Sequence, residues 1–291
     1  MNAMDDLDRS SHIWFKEFFT GNTAGRFMLV DRFLHTERSQ YQRIDIFDTY
    51  RYGRVFALDG IIMTTDLDEF MYHEMLVHVP MFLHPNPKRV LIIGGGDGGS
   101  LREVLKHDTV EEAILCEIDP KVIEAARKYL NTSVEFDNPR AKIVNENGVE
   151  FVAKFKDSFD VIIVDSTDPT AGEGGHLFTE KFYQACYEAL TENGVFSAET
   201  ESPVLDPSWV KLAYKRIKKV FPVTRLYLGF MSSYPSGCWS YTFASKGADP
   251  VEDFDPQKVE NFRKELKYYN SDVHKAAFAL PNFVREIIRN L

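Results

Sequence analysis

Between residues 12 and 65, short runs of the chain alternate between apolar and polar positions. Ile44 and Ile46, for example, are separated by a charged residue, and a period of two is typical of half-buried β-strands. Asp59-Gly60 lies between two such runs and favours a two-residue hairpin turn. The pattern predicts a small antiparallel sheet, with strands at residues 26–30, 41–47, 55–58 and 61–65.

Beyond this sheet the pattern predicts helices, and then strands that alternate with helices. A helix over 68–83 ends before Pro85 and Pro87, since proline interrupts a helix. The unbroken apolar run 159–165 is typical of a strand buried in a parallel sheet. Further strands are predicted at 90–93, 113–116, 141–144, 194–199, 224–230 and 238–245, and further helices at 120–130, 148–155, 179–190, 208–220, 256–268 and 272–291.

These elements predict an α/β protein with two domains. A loose lead over residues 1–11 precedes an N-terminal antiparallel β domain with its linking helix at 12–86. Residues 87–291 are predicted to form a Rossmann-like catalytic domain, in which a doubly wound sheet is closed by an antiparallel hairpin and followed by C-terminal helices.

The first strand–turn–helix–strand unit of the second domain carries the clearest chemical signal. Gly94, Gly96 and Gly99 satisfy the pattern of dinucleotide-binding turns, and Glu117 lies near the distance expected for a ribose-binding acid. Asp97, however, would meet a pyrophosphate there, at a cost of about 4 kcal/mol for charges roughly 4 Å apart at an effective dielectric near 20. The turn is therefore predicted to bind a ligand that is cationic nearby, rather than NAD.

Acidic residues recur where predicted strands end, and such ends form the ligand edge of a doubly wound sheet. The polar residues at this edge are Asp97, Glu117, Asp119, Asn147, Asp165, Asp168, Glu199 and Glu201. Asp119 and Asp168 are equally compatible with helix caps. So many carboxylates together predict a pocket for a polycation or a metal ion. Metal is the weaker alternative, since no histidine or cysteine joins them at ligand spacing, although carboxylates alone could hold Mg²⁺.

Composition narrows the classes of partner. The net charge of −10 disfavours nucleic acid and anionic membranes and is compatible with cationic ligands. Cys116, Cys186 and Cys238 are widely spaced, which predicts neither a disulfide framework nor a zinc site. Neither a signal peptide nor a long apolar run is evident, so a cytoplasmic protein is expected.

Several motifs together resemble the polyamine aminopropyltransferases, the spermidine synthase family, from about residue 12 to near the end. They are Asp59-Gly60, DEF at 68–70, YHEM at 72–75, GGGDGG at 94–99, REV at 102–104, EID at 117–119, DSTDP at 165–169, LF at 177–178 and YPSG at 234–237. The resemblance implies a small β domain on a methyltransferase-like Rossmann domain. It also implies transfer of an aminopropyl group from decarboxylated S-adenosylmethionine to putrescine, which gives spermidine and methylthioadenosine.

The resemblance also implies roles for individual residues. The cosubstrate would be bound by Gln42, Gly94, Gly96, Asp97, Glu117, Asn147, Gly148 and Gly172. The amine would be bound by Tyr72, His73, Asp97, Asp165, Asp168, Glu199 and Tyr234. No metal and no tightly bound cofactor are expected. A homodimer or homotetramer, joined partly through the N-terminal sheet, is expected.

Amine transfer requires a base, because an alkylamine with a pKa near 10.4 costs about 4.6 kcal/mol to deprotonate at pH 7. Asp165, at the tip of a predicted strand, is the candidate for this catalytic role, directly or through water. An alternative is that Asp165 only binds the amine. An S-adenosylmethionine-dependent methyltransferase or a non-catalytic family member would share the fold.

Four departures from the family pattern leave the acceptor open. Met63 replaces a frequent glutamine, Asn147 a frequent aspartate, and Glu199 a common glutamine, while residues 170–173 replace a more usual glycine–proline segment. The extra carboxylate of Glu199 could favour agmatine, cadaverine or a triamine over putrescine.

Overall fold

A computed structural model describes residues 12–19, 21–166 and 177–291. The chain divides into two compact units, with the boundary between Leu67 and Asp68. Each unit has its own sheet, and the mixed α/β class predicted from the sequence is confirmed. The loose lead predicted at residues 1–11 lies outside the described residues.

The first unit is a five-stranded antiparallel sheet with strands in sequential order within the described residues. Its strands are β1 (Trp14–Phe19), β2 (Ala24–Arg38), β3 (Arg43–Thr49), β4 (Gly53–Leu58) and β5 (Ile61–Thr65). Phe47, Val55 and Ile62 belong to the apolar cluster on one face of this sheet. Asp59 and Gly60 join β4 to β5 with φ values of 48° and 86°, as a type I′ hairpin turn requires. The predicted hairpin is confirmed.

The second unit is built on a seven-stranded sheet with the order β11-β12-β10-β9-β6-β7-β8. Strands β6 to β10 run parallel, and β11 and β12 close one edge as an antiparallel hairpin. The strands are β6 (Arg89–Gly94), β7 (Glu112–Cys116), β8 (Ala141–Val144), β9 (Phe159–Asp165), β10 (Leu190–Glu199), β11 (Val223–Phe230) and β12 (Cys238–Ser245). The predicted doubly wound sheet is confirmed.

Helices cover both faces of this sheet. They are α1 (Glu69–Leu83), α2 (Gly99–Leu105), α3 (Pro120–Tyr129), α4 (Gly148–Val152), α5 (Glu180–Ala189), α6 (Pro207–Val220), α7 (Pro256–Glu260), α8 (Ser271–Ala277) and α9 (Asn282–Ile287). Residues Asn131–Glu135 form a 3-10 helix. Asp119 accepts a hydrogen bond from the backbone N–H of Lys121 and caps α3, which is one of the two roles that its position allowed.

Helix α1 belongs to the second unit, although the sequence analysis grouped it with the N-terminal domain up to residue 86. From Tyr72 to Leu83 every residue of α1 is buried, and the helix lies against α2 and strands of the second sheet. A helix that is buried on all sides is enclosed in a core rather than laid on a surface. For this reason the units divide at the start of α1.

The C-terminal region differs from the two long helices predicted there. The backbone N–H groups of Lys267, Tyr268 and Tyr269 donate to the buried carboxylate of Glu74 at 2.7 to 2.8 Å, so they cannot make helical hydrogen bonds. Pro281 separates α8 from α9, since a proline lacks the N–H that a continuous helix needs. Among the helices of the described residues, none has the length and apolar character needed to cross a bilayer.

Candidate active site

A glycine-rich turn connects β6 to α2 at the centre of the second sheet. β6 pairs with β9 on one side and β7 on the other, so the turn lies at the topological switch point where ligands bind in such sheets. A Cβ atom at Gly94, whose φ is 82°, would stand 2.1 Å from the backbone oxygen of Asp165. Glycine is therefore required here, and it lets the turn approach the end of β9.

Four acidic side chains lie at the carboxyl ends of neighbouring strands, as the sequence predicted. Asp97 follows β6, Glu117 follows β7, and Asp165 and Glu199 are the last residues of β9 and β10. Their exposed fractions are 7%, 8%, 9% and 2% respectively. Because burial makes mutual repulsion of carboxylates stronger, this edge is built to receive positive charge.

Asp165 is held by two hydroxyl groups. Tyr72 donates from its hydroxyl to Oδ1 at 2.8 Å, and Ser100 donates from Oγ to Oδ2 at 2.6 Å. Burial and the nearby charge of Asp97 raise the pKa of Asp165 above its usual range. A carboxylate with fixed oxygens and a raised pKa suits a group that accepts a proton near neutral pH.

His73 lies in the acidic cluster, to which the family resemblance assigned it as an amine-binding residue, whereas residue spacing alone gave no histidine as a metal ligand there. One ligand atom from each of His73, Asp97 and Asp165 lies within 4.8 Å of the others. Both ring nitrogens already face carboxylates, Nδ1 toward Glu69 at 2.7 Å and Nε2 toward Asp97 at 3.3 Å. The arrangement therefore matches an imidazolium between carboxylates better than a neutral metal ligand.

Gly99 makes room for this ring. A Cβ atom there would stand 2.2 Å from Cε1 of His73, so the imidazole lies directly against the first residue of α2. The backbone N–H of Gly99 also donates to Asp97 Oδ1 at 2.8 Å. Burial opposes ionisation of Asp97, but the positive charge of His73 and the hydrogen bond from the Gly99 N–H outweigh it and lower the pKa of Asp97.

Glu117 is fixed by the loop that follows β7. Its Oε1 accepts a hydrogen bond from the backbone N–H of Asp119 at 2.9 Å, and its side chain lies against Gly96, where a Cβ atom would stand 2.8 Å from Oε2. Burial, with repulsion from Asp119, Asp97 and Asp165, raises the pKa of Glu117 to about 7. A positively charged ligand would favour its ionised form.

Asn147 and Gly148 lie at the start of α4. Asn147 caps this helix by accepting a hydrogen bond from the backbone N–H of Val149 at 2.9 Å. A Cβ atom at Gly148 would stand 2.3 Å from the side chain of Ile93, so glycine is needed for α4 to pack on β6. A carbonyl oxygen has two lone pairs, so the cap leaves Asn147 able to accept a second hydrogen bond.

Aromatic side chains form the other wall of the cluster. The ring of Tyr72 lies 5.7 Å from the rings of both Tyr234 and Tyr241, and Tyr234 lies 4.7 Å from Trp239. Burial and the charge of Asp165 raise the pKa of Tyr72 well above its usual range. Neutral aromatic walls beside carboxylates suit a ligand with methylene groups between positive ends.

Glu199 approaches the same region from β10. Ser166, which follows Asp165, donates from Oγ to Glu199 Oε1 at 3.4 Å, and the backbone N–H of Glu201 donates to Oε2 at 3.2 Å. The carboxylate is thus held beside the end of β9.

Three of the predicted site residues are not placed in this cluster. Gln42 lies in the first unit, where its backbone N–H donates to Ser39 Oγ. Asp168 and Gly172 lie outside the described residues, as does the departure from the family pattern at 170–173. Their predicted roles therefore stay predictions.

Ser100, Glu69 and Arg102 contact the cluster but were not predicted as site residues. Glu69 and His73 are four residues apart, which places them on one face of a helix; this spacing was the available signal. Ser100 directly follows the glycine run and is the second residue of α2. Arg102 contacts Glu69 across two helices, and nothing in the local sequence indicates that pairing.

Two family models match this chain. The model described as the spermidine synthase tetramerisation domain matches residues 13–66, and the model described as the spermine/spermidine synthase domain matches residues 69–256. The polyamine aminopropyltransferase of Thermotoga maritima is 68% identical over 291 residues, which cover 98% of each chain. That of Thermotoga petrophila is 69% identical over 282 residues, which cover 97% of this chain and 95% of the relative.

Solved structures give the same result. A crystal structure of spermidine synthase in complex with the transition-state analogue AdoDATO is similar with a TM-score of 0.95 and 69% identity, covering 97% of this chain and 96% of that one. A crystal structure of spermidine synthase from Thermotoga maritima is similar with a TM-score of 0.92 and 66% identity, covering 97% and 95% of the two chains.

Proposed function

Since the chain belongs to the spermine/spermidine synthase family and is a polyamine aminopropyltransferase, we propose that it converts putrescine to spermidine. The donor is decarboxylated S-adenosylmethionine, and the second product is methylthioadenosine. The observation that carries this proposal is the buried cluster of Asp97, Asp165 and Glu117 around the glycine turn. Similarity to a spermidine synthase that binds the analogue AdoDATO supports the choice of donor.

The charge of the donor explains why an acid stands in the glycine turn. Loss of the carboxylate from S-adenosylmethionine leaves an ammonium beside the sulfonium, so the donor is a dication. Asp97 attracts this dication, and it repels the carboxylate that S-adenosylmethionine still carries. The protein can therefore discriminate between two otherwise similar ligands. Glu117, Gly94 and Gly96 bind the nucleoside and its ribose, with Asn147 and Gly148 at the adenine and Gln42 and Gly172 as further contacts.

The reaction is an in-line displacement at the methylene carbon next to sulfur. A neutral nitrogen of putrescine attacks this carbon, a C–N bond forms, and the C–S bond breaks with its electron pair on methylthioadenosine. Putrescine is an ammonium before this attack, and the proton that it must lose to become neutral is accepted by Asp165, directly or through water. Tyr72 and Ser100 hold the two carboxylate oxygens of Asp165, so the base is fixed before the amine arrives.

The acceptor amine lies along the aromatic wall. Tyr72 and Tyr234 contact its methylene groups, while His73, Glu199 and Asp168 set the charge around its ends. The carboxylate of Glu199 in place of the common glutamine is the specific feature that favours a second candidate acceptor, a longer or more basic amine such as agmatine, cadaverine or a triamine.

The mass of the reaction product distinguishes between these proposed acceptors and reactions. Purified protein is incubated with decarboxylated S-adenosylmethionine, and in parallel with S-adenosylmethionine, against putrescine, cadaverine, agmatine and spermidine. We expect the highest kcat/KM for putrescine, with the mass of one added aminopropyl group. A higher kcat/KM for another amine would replace the acceptor, gain of a methyl group would indicate a methyltransferase, and no gain with any amine would refute the function.

The first unit supports a proposal on assembly. The apolar side chains of Ile13, Phe18, Phe27 and Phe33 are exposed in this unit, and exposed apolar surface is what an interaction site requires. Because the matching model of this region is described as a tetramerisation domain, we propose a homotetramer, or a homodimer, joined through this sheet. We also propose that the protein works in the cytoplasm, in keeping with free thiols at Cys116, Cys186 and Cys238.

A further inference from the structure

The imidazole of His73 is held by carboxylates from two different elements. Its Nδ1 lies 2.7 Å from Glu69 Oε2, one helical turn earlier on α1, and its Nε2 lies 3.3 Å from Asp97 Oδ1 in the glycine turn. A neutral ring donates through only one nitrogen, whereas an imidazolium donates through both. Carboxylates at both nitrogens therefore favour the positively charged ring.

Glu69 is itself fixed by a bidentate contact from a second helix. Arg102 donates from Nη1 to Oε1 at 2.9 Å and from Nη2 to Oε2 at 2.8 Å. The Nε of Arg102 donates to the buried carboxylate of Glu103 at 2.8 Å, and Glu103 Oε2 lies 3.0 Å from His78. Bidentate pairs of this kind set orientation as well as energy, so Glu69 has little freedom to turn away from His73.

We propose that Glu69, fixed by Arg102, is a positioning residue that keeps His73 a cation and thereby holds Asp97 ionised and oriented in the ligand cleft. The contacts are a property of the free protein. Only their consequence for catalysis rests on the function proposed above.

The charges around the ring support this inference. The ionisable groups that face His73 are Glu69 from α1, Asp97 from the glycine turn and Asp165 from β9, with Tyr72 edge-on beside the ring at 5.3 Å. Burial lowers the pKa of His73, but Asp97 and Glu69 raise it by more, so it lies well above its usual range. Burial likewise opposes ionisation of Glu69, yet His73 and Arg102 lower its pKa to about 2.

Without its charge, His73 would no longer stabilise the carboxylate of Asp97. Asp97 would then be a buried acid beside Asp165, and such pairs tend to share a proton. A neutral Asp97 attracts a dicationic donor less strongly. We therefore expect removal of the Glu69 charge to weaken donor binding more than it slows the chemical step.

The first test reads the ring directly and does not depend on activity. The full-length protein is labelled with ¹³C-histidine, and the His73 ring signal is identified by its loss in His73→Gln. We expect the wild-type ring to remain an imidazolium to a pH well above the usual midpoint of a histidine, and the ring in Glu69→Gln to lose its proton at a lower pH than in wild type. Glu124→Gln removes an exposed carboxylate paired with Lys121 on α3 and serves as the matched control, which we expect to behave as wild type.

Arg102→Lys provides a second variant in case Glu69→Gln does not fold. It keeps the positive charge but loses the bidentate contact, and we expect the His73 titration to shift in the same direction by a smaller amount. A His73 ring that titrates as in wild type in every folded variant would overturn the inference.

Kinetics provide the second test. In Glu69→Gln we expect KM for the donor to rise with pH, by up to about tenfold per pH unit above the midpoint of His73, while kcat changes less. If KM for the donor rises by the same factor at all pH values, the role of Glu69 is merely structural and the inference is contradicted. If the chain transfers no aminopropyl group at all, the proposed function fails, while the ring titration still decides the role of Glu69.

Discussion

Asp165 combines a raised pKa with two fixed hydroxyl donors, and this combination underlies its proposed role as base. We predict that Asp165→Asn lowers kcat by roughly 10²–10⁴, because an amide of the same shape cannot accept the amine proton. Steady-state kinetics with putrescine measure this change. Asp157→Asn, at an exposed position in the loop before β9, is the control and should leave kcat unchanged. Near-normal turnover in Asp165→Asn would leave Asp165 a binding group only.

Glu117 should give the donor a pH-dependent affinity. Its pKa is raised to about 7, so the carboxylate gains a proton as pH falls through neutrality and the attraction for a positively charged donor is lost. We predict that KM for the donor rises below about pH 7 in wild type. In Glu117→Gln, KM for the donor above about pH 7 should be about 10- to 100-fold higher than in wild type, in line with the loss of charged hydrogen bonds. The rise of KM at acidic pH should disappear in this variant. An acid rise that persists unchanged in Glu117→Gln would assign it to another group.

At the residue scale, the sequence located the acids but not their partners. Strand ends could be read from apolar runs, which brought Asp97, Glu117 and Asp165 to one edge of the sheet. The contacts of Arg102 with Glu69 and of Ser100 with Asp165 depend on how α1 and α2 pack. No periodicity encodes such packing, and only the family resemblance, not the spacing of residues, predicted His73 among the carboxylates.

At the scale of elements, Glu74 joins α1 to the C-terminal segment. Its carboxylate accepts three backbone N–H donors from Lys267, Tyr268 and Tyr269. We predict that Glu74→Gln lowers the free energy of unfolding by about 2–3 kcal/mol, or roughly 5–10 °C in Tm, because an amide NH₂ group would face N–H donors. Circular dichroism measures Tm, and hydrogen exchange should show faster exchange at residues 267–269. Glu265→Gln, on the exposed surface, is the control.

The contact of Glu74 with residues 267–269 also shows which elements could not be predicted from the sequence. Strong local signals fixed β9, the hairpin at Asp59-Gly60 and the cap of α3, since each depends on residues that are neighbours in sequence. The C-terminal helices were overextended because the backbone at residues 267–269 finds its acceptor on Glu74, which lies far away in the chain. β1 was not predicted, because what defines it as a strand is its pairing with β2 in the folded protein.

At the scale of the whole molecule, exposed apolar side chains of the first unit should control assembly. Phe27 is 69% exposed and Ile13 is 62% exposed in the single chain. We predict that Phe27→Glu shifts the protein from tetramer or dimer toward monomer, because a buried unpaired charge is costly in an apolar interface. Light scattering coupled to size exclusion measures the mass. Val251→Glu, at an exposed position of the second unit, is the control, and an unchanged mass in Phe27→Glu would move the interface elsewhere.

The proposed function depends on an acid in the glycine turn, Asp97, that selects a donor without a carboxylate. The most direct measurement is the ratio of the Kd values for S-adenosylmethionine and its decarboxylated form, in wild type and in Asp97→Asn. One carboxylate meeting another at roughly 4 Å costs about 4 kcal/mol at an effective dielectric near 20, so wild type should prefer the decarboxylated form by about 10³-fold. In Asp97→Asn the preference should fall to within about tenfold, since the like-charge contact is gone. Equal affinity of wild type for both compounds would contradict the proposed selection of the donor by Asp97.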